Sequence, residues 1–453
     1  MMTRREALRM MGAGFGTVGL ASALPNPLEP KMPHFPAKAK HVIFLFLNGG
    51  PSHVDTFDPK PMLTKHNGEP IPSGNLKTER KTGNLFASPF TFKKYGESGI
   101  EVSELFPKVG GTIDDICVVR SMFADRPTHE ASLFLMNTGD NLQGRPSMGS
   151  WITYGLGTEN QNLPAFVVLC PGFPVIGPQL WSSTFLPAVY QGSYISNTET
   201  DPEKLIRYVH NKHLDASTQR RQVDLVNQLN RMELARTGKD PQLEASIQAM
   251  EVAFRMQTEA PDVLDIRSEK TAVRDRYGDS DFGRGCLMAR HLVERGVRVV
   301  QVYFGNGQPW DSHEDILVHR THAAAADPAI AALLQDLKDR GLLEETLVIV
   351  GGEFGRTPVM EVGKNVKFQN GRDHNNYGFS MLLAGGGVKR GIVHGATDEF
   401  GFKAVEKPVH VHDLHATILN RLGLDHTKLT YRYSGRDFRL TDVEGNVVHD
   451  ILT

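Results

Sequence analysis

Four apolar, strand-like runs in this sequence are each flanked, at one end, by side chains able to grip a cation. The clearest is GLLEETLVIVGGEFGRTP (341–358), where a β-branched run passes through two glycines to Glu353. Asp55 follows the run 41–47, Asp311 and His313 follow 297–304, and His374 stands shortly before 379–384. In open α/β sheets chemistry gathers beyond the carboxyl ends of the strands, and glycines there let backbone approach a bound group closely. Asp311 and His313 are two apart, so in an extended segment both side chains point the same way. Mixed carboxylate and imidazole ligation suits a divalent metal: zinc, manganese or calcium. We therefore take Asp55, Asp311, His313, Glu353 and His374 as candidate metal ligands. Arg356 and Arg372 are candidate anion-binding residues, because guanidinium pairs with phosphate or sulfate oxygens. Their alternative role is to pair with those same carboxylates.

The elements that must position these groups follow from the periodicity. Strand-like runs alternate with helical ones at 322–340 and 411–422, which predicts an α/β fold with a mainly parallel central sheet flanked by helices. Between 201 and 296 the chain is charged and helical in period, as in 220–235 and 243–256, and reads as a helical insertion. With 453 residues there is length for one large domain, here taken as 38–453. A net charge of -2 offers no field for nucleic acid.

The first 37 residues read differently. Arg4 and Arg5 precede a weakly apolar, Gly/Ala-rich run ending near Ala21-Ser22-Ala23, the pattern of a twin-arginine export signal, and a Pro-rich linker reaches 37. The run is shorter than the roughly 20 residues that span a bilayer, so no stable membrane span is expected and the location is periplasmic or extracellular. Cys117, Cys170 and Cys286 are odd in number and lie in apolar contexts, which predicts buried free thiols.

These motifs carry a resemblance. LKDRGLLEETLVIVGGEFG (337–355) and HDLHATILNRLGL (412–424) resemble segments of sulfatases and alkaline phosphatases. Together with NGGPSHVDTFD (48–58), GRDH (371–374) and YRYSGR (431–436), they make the chain resemble a twin-arginine-exported bacterial domain-of-unknown-function family, abundant in planctomycetes, in the alkaline-phosphatase-like superfamily. The resemblance implies that Asp55 is the first-strand metal carboxylate, that Asp311, His313 and His374 hold one metal, and that Glu353 serves another. Phe354 stands where a further ligand is usual. The nucleophile position falls on His129, with Thr128 beside it; the sulfatase pattern of Cys or Ser followed by x-Pro-x-Arg is absent there, and CLMAR (286–290) matches it only superficially. His129 is then a metal ligand, a phosphoryl acceptor or a general acid/base, and Thr128 a nucleophile after a one-residue shift. The bland reading makes Thr128 a helix cap.

The implied activity is metal-dependent hydrolysis or transfer of phosphate or sulfate esters, the substrate being an anionic small molecule or saccharide ester. The alternative is an exported metal-binding or carbohydrate-associated protein without turnover. An exported cytochrome-like partner is implied by the family alone.

Overall fold

A computed structural model of the chain describes residues 27–72, 74–205, 214–237, 251, 254–257, 259–363 and 370–453. The expected export signal and most of the segment 243–256 lie outside the described residues. Among the described residues nine strands form one sheet, with spatial order Ile392–His394, Ile116–Phe123, Phe379–Ala384, Thr346–Gly351, His41–Phe46, Val299–Tyr303, Phe166–Leu169 and Ser193–Ile195; Val409–His410 pairs with the end of Ile116–Phe123. Every neighbouring pair is parallel except the two made by Phe379–Ala384, which is antiparallel to both its neighbours.

That one reversal bears on the site. An antiparallel strand begins at the edge where parallel strands end, so the residues before Phe379 share a rim with those after Phe46, Phe123, Tyr303 and Gly351. Five separate stretches of chain thereby reach one edge of the sheet. The strands are apolar on both sides because both faces are covered. Ile43 and Leu45 of the first strand point into one core with Cys286, Leu287 and Leu333 of helices Asp281–Glu294 and His319–Asp339. Val42, Phe44 and Phe46 point into the other, with Leu135 of helix His129–Thr138, Ile152 of Met148–Leu156 and Ile418 of Val411–Arg421.

A second, three-stranded sheet lies at the rim: Thr82–Leu85, Gly355–Glu361 and Arg372–Asn375, with Gly355–Glu361 in the centre and both pairings antiparallel. The sequence reading assigns no element to 355–361, where Gly-Arg-Thr-Pro is a weak strand signal. Its backbone groups are nevertheless satisfied by strand pairing. In the predicted insertion, helices Ala216–Thr237, Thr271–Tyr277 and Asp281–Glu294 are present.

Residues 27–37 lie against the domain. The Lys31 N–H donates to the Leu156 carbonyl at 2.9 Å, the His34 N–H to that of Gly423 at 2.9 Å, and Leu28 is buried. All three cysteines are free and buried, and burial pushes the Cys117 thiol up to about 12 and Cys170 to about 11. Among the described residues no helix is long and apolar enough to cross a membrane.

Candidate metal centre

Asp311 is the point on which the site converges. One of its carboxylate oxygens lies 2.8 Å from Nε2 of His313, 3.1 Å from Nε2 of His374 and 2.6 Å from the Arg356 guanidinium. The other lies 3.3 Å from Nε2 of His129. His129, Asp311, His313 and His374 each offer one ligand atom, all within 4.8 Å of one another, a grouping that could hold one metal ion.

Each element earns its place by a local feature. Asp311 and His313 sit in the turn after Val299–Tyr303, and Gly49 packs against that turn with φ of +112°, where a Cβ would come within 2.6 Å of the Asp311 nitrogen. Gly371 lets the strand Arg372–Asn375 pass the same turn, since a Cβ there would lie 1.7 Å from the His313 carbonyl oxygen. His129 is the first residue of helix His129–Thr138, reached from the end of Ile116–Phe123. Phe354, buried, lies 4.8 Å from the His129 ring and 4.5 Å from the His374 ring, centroid to centroid. It walls the two imidazoles in place of offering a ligand.

The far side of each ring is held by a carboxylate. Nδ1 of His129 is 2.7 Å from Glu353, Nδ1 of His374 is 2.7 Å from both Glu79 and the Pro127 carbonyl, and Nδ1 of His313 bonds Glu361. A metal-binding imidazole commonly donates its other N–H to a carboxylate or carbonyl, which leaves the facing nitrogen as the lone-pair donor. Three rings repeat this arrangement here. His313 and His374 then bring their Nε2 atoms 2.9 Å apart, and Nε2 of His129 is buried without a hydrogen-bond partner. Three imidazole nitrogens crowded on one carboxylate, one of them without good hydrogen-bond geometry, fit a shared cation.

Charge points the same way. Asp311, Glu353, Glu361, Asp373 and Glu79 crowd the three rings, whereas among the described residues the guanidiniums touching them are those of Arg356 and Arg80. Burial opposes ionisation of Asp311, yet Arg356 and the surrounding imidazoles hold its carboxyl far below the usual range. Burial likewise opposes protonation of His129 and His313, and their carboxylate partners outweigh it and raise both. The site selects for positive charge.

Two of the expected ligands lie outside this four-residue grouping. Asp55 is fully buried and paired with Arg372, Nε to Oδ2 at 2.7 Å and Nη2 to Oδ1 at 3.2 Å, and it is not in the four-residue cluster. Burial works against its charge, but the guanidinium holds its carboxyl below the usual range. Glu353 orients His129 and accepts the Gly49 N–H at 3.0 and 3.2 Å, so both its oxygens are used behind the ring. Neither arginine faces an open site. Arg356 has no exposed surface and donates to the carbonyls of Gly49, Gly50 and Arg372 besides Asp311. Arg372 is equally buried, on Asp55, the Thr357 carbonyl and the Phe86 ring. They neutralise carboxylates, the alternative their sequence positions left open. Thr128 occupies the cap position of its helix with an extended backbone, but its side chain makes no capping hydrogen bond and is exposed beside the cluster.

Glu79, Arg80 and Glu361 escaped the sequence reading. Glu361 closes a strand with a weak sequence signal, and Glu79 sits in the charged run KTERK (77–81), whose composition suggests only a solvated turn.

The chain is similar to several solved structures. One is PsFucS1 sulfatase from Pseudoalteromonas sp., at 12% identity, with 85% of this chain and 68% of that one covered and a TM-score of 0.35. Another is the lipoteichoic acid synthase LtaP from Listeria monocytogenes, at 11% identity, with coverage of 91% and 78% and a TM-score of 0.35. A third is a mutant of TAB5 alkaline phosphatase with magnesium bound, at 11% identity, with coverage of 86% and 99% and a TM-score of 0.34. No match was found among curated proteins. One family model spans residues 39–452, and by it the chain belongs to the family described as protein of unknown function, DUF1501.

Proposed function

We propose that this chain is an exported metal-dependent hydrolase or transferase of phosphate or sulfate esters, with the metal held by His129, Asp311, His313 and His374. The observation that carries the reading is the convergence of three imidazole Nε2 atoms on one carboxylate, each ring backed by a carboxylate. Three nitrogens and one oxygen suit zinc or manganese and disfavour calcium, which takes oxygen ligands. A bound divalent ion supplies Lewis acidity toward an ester oxygen and lowers the pKa of an attacking hydroxyl or water.

The protein's own groups do the rest. Arg356 keeps Asp311 ionised, Phe354 excludes water from one side of the rings, and the exposed Thr128 hydroxyl is the available attacking group beside His129. Arg80, whose side chain is half exposed, is the guanidinium at the cluster with surface left for an anionic substrate. His129 is assigned as a ligand in preference to a phosphoryl acceptor, because both its nitrogens face groups of the cluster.

One feature favours a second reading, a metal-binding protein without turnover. Four protein ligands make a closed shell of the kind found in structural zinc sites, whereas catalytic sites usually keep three and an open position. Metal analysis of the purified protein, followed by a screen of phosphate and sulfate esters with wild type and Thr128→Ala, separates the two. Turnover that tracks metal content supports the hydrolase; bound metal with no turnover of any ester supports the second reading; a protein that takes up no divalent metal removes both.

A further inference from the structure

Glu361 and Arg80 form a device behind His313 that ligand geometry alone does not require. Glu361 ends the strand Gly355–Glu361, its side chain is 5% exposed, and one carboxylate oxygen bonds Nδ1 of His313. The other accepts from the Arg80 guanidinium at 3.2 Å, while the Arg80 N–H donates to Asp373 at 2.6 Å. Arg80 thus ties down Glu361 through its side chain and Asp373 through its backbone. The Asp373 carboxylate is 4.0 Å from the same His313 nitrogen and also accepts the His374 N–H at 2.8 Å. A carboxylate fixed on both oxygens cannot turn away from the ring it holds.

We infer that Glu361, clamped by Arg80, is a positioning residue that fixes His313 with its proton on Nδ1 and its lone pair on Nε2, so that Nε2 is committed to the metal. This rests on the metal-centre reading above and adds a ranking to it. Nδ1 of His374 has two acceptors, Glu79 and the Pro127 carbonyl, so loss of Glu79 leaves a partner in place. Among the described residues, Nδ1 of His313 has Glu361 alone within hydrogen-bond distance. Carboxylates that orient a ligand in this way typically contribute about tenfold to a hundredfold in metal affinity.

The experiment titrates the full chain with zinc against a chromophoric chelator and reads the imidazole tautomers by long-range nitrogen–proton NMR of histidine-labelled protein. Glu361→Leu should weaken zinc binding by about tenfold to a hundredfold and, in the zinc-loaded variant, let part of the His313 population carry its proton on Nε2. Glu361→Gln, which retains an acceptor oxygen, should recover part of the affinity and keep the proton on Nδ1. Glu79→Gln should bind close to wild type. A thermal melt of each zinc-free variant confirms folding, and a purely structural Glu361 would change that melt without moving the tautomer. If wild type binds zinc and Glu361→Leu binds as tightly, or if His313 in zinc-loaded wild type carries its proton on Nε2, this inference fails and the metal centre stands. If wild type takes up no zinc, the metal-centre reading itself has failed.

Discussion

Replacing Asp311 with asparagine removes the charge on which three imidazoles and Arg356 converge while keeping the side chain's shape. Two separable losses follow. The first is the ion pair with Arg356, at 2.6 Å with no exposed surface on the arginine. Removing one partner of a buried pair costs about 3–5 kcal/mol, and the three backbone carbonyls that still accept from Arg356 place this case near 3 kcal/mol. With an unfolding entropy of about 2 cal/mol/K per residue over roughly 400 residues, that is a fall of ~3–4 °C in melting temperature. The second loss is metal linkage: a ligand at about a thousand times its Kd stabilises by ~4 kcal/mol, or ~4–5 °C on the same scale. Differential scanning calorimetry of both proteins, with excess zinc and with chelator, resolves the two. Chelator should lower wild type by ~4–5 °C and leave Asp311→Asn unmoved, so the variants differ more in zinc than in chelator. A variant that gains as much from zinc as wild type does would show that Asp311 is no ligand.

Asp55→Asn should destabilise by about 3–5 kcal/mol, because it strands the buried Arg372 guanidinium, yet leave bound metal per chain unchanged; loss of metal in a folded variant would return Asp55 to the centre. His415 is fully buried, with Nε2 2.9 Å from the Met136 carbonyl, and burial first of all lowers it to about 3. Its fold-side pKa is depressed, so the unfolded chain binds the proton first: stability is whole above about 6.5 and declines as pH falls toward 3, by ~2 kcal/mol at pH 5. His415→Gln should flatten that stretch of the stability–pH curve by one proton, and an unchanged slope in denaturant titrations would refute the assignment. Substituting lysine for both Arg4 and Arg5 should leave full-length precursor in the cytoplasm, checked by fractionation, whereas undiminished export rejects the twin-arginine route.

The sequence made the rim legible because strand ends are a one-dimensional signal. A β-branched run followed by glycine and a charged residue places that residue beyond a strand, and parallel neighbours place several together. His374 joined them for a reason visible only in the topology, the reversal of Phe379–Ala384. Which carboxylate joins the cluster of imidazoles was not legible, since Asp55 and Glu353 satisfy the same pattern as Asp311. The difference lies in partners far along the chain: Arg372 for Asp55, and Gly49 with His129 for Glu353. Glu361 was hidden by a strand with a poor local signal, and Glu79 by a charged turn in which any one residue looks solvated.

The two buried arginines constrain how an anionic ester could be held. A guanidinium recognises phosphate or sulfate through free N–H donors, and those of Arg356 and Arg372 point at carbonyls and carboxylates in the protein. Freeing either would expose a buried carboxylate without its counter-charge, at a cost of several kcal/mol that ester binding would first have to overcome. In the proposed hydrolase, substrate charge would therefore be met by the metal and by the half-exposed Arg80, which already holds Glu361. Arg80 in that role would join substrate binding to the orientation of His313: a ligand drawing the guanidinium outward loosens the carboxylate behind the ring. Arg80→Lys, able to hold Glu361 only as a point charge, separates the two roles, since a pure clamp changes metal affinity alone while an anion-binding group changes the KM for esters as well.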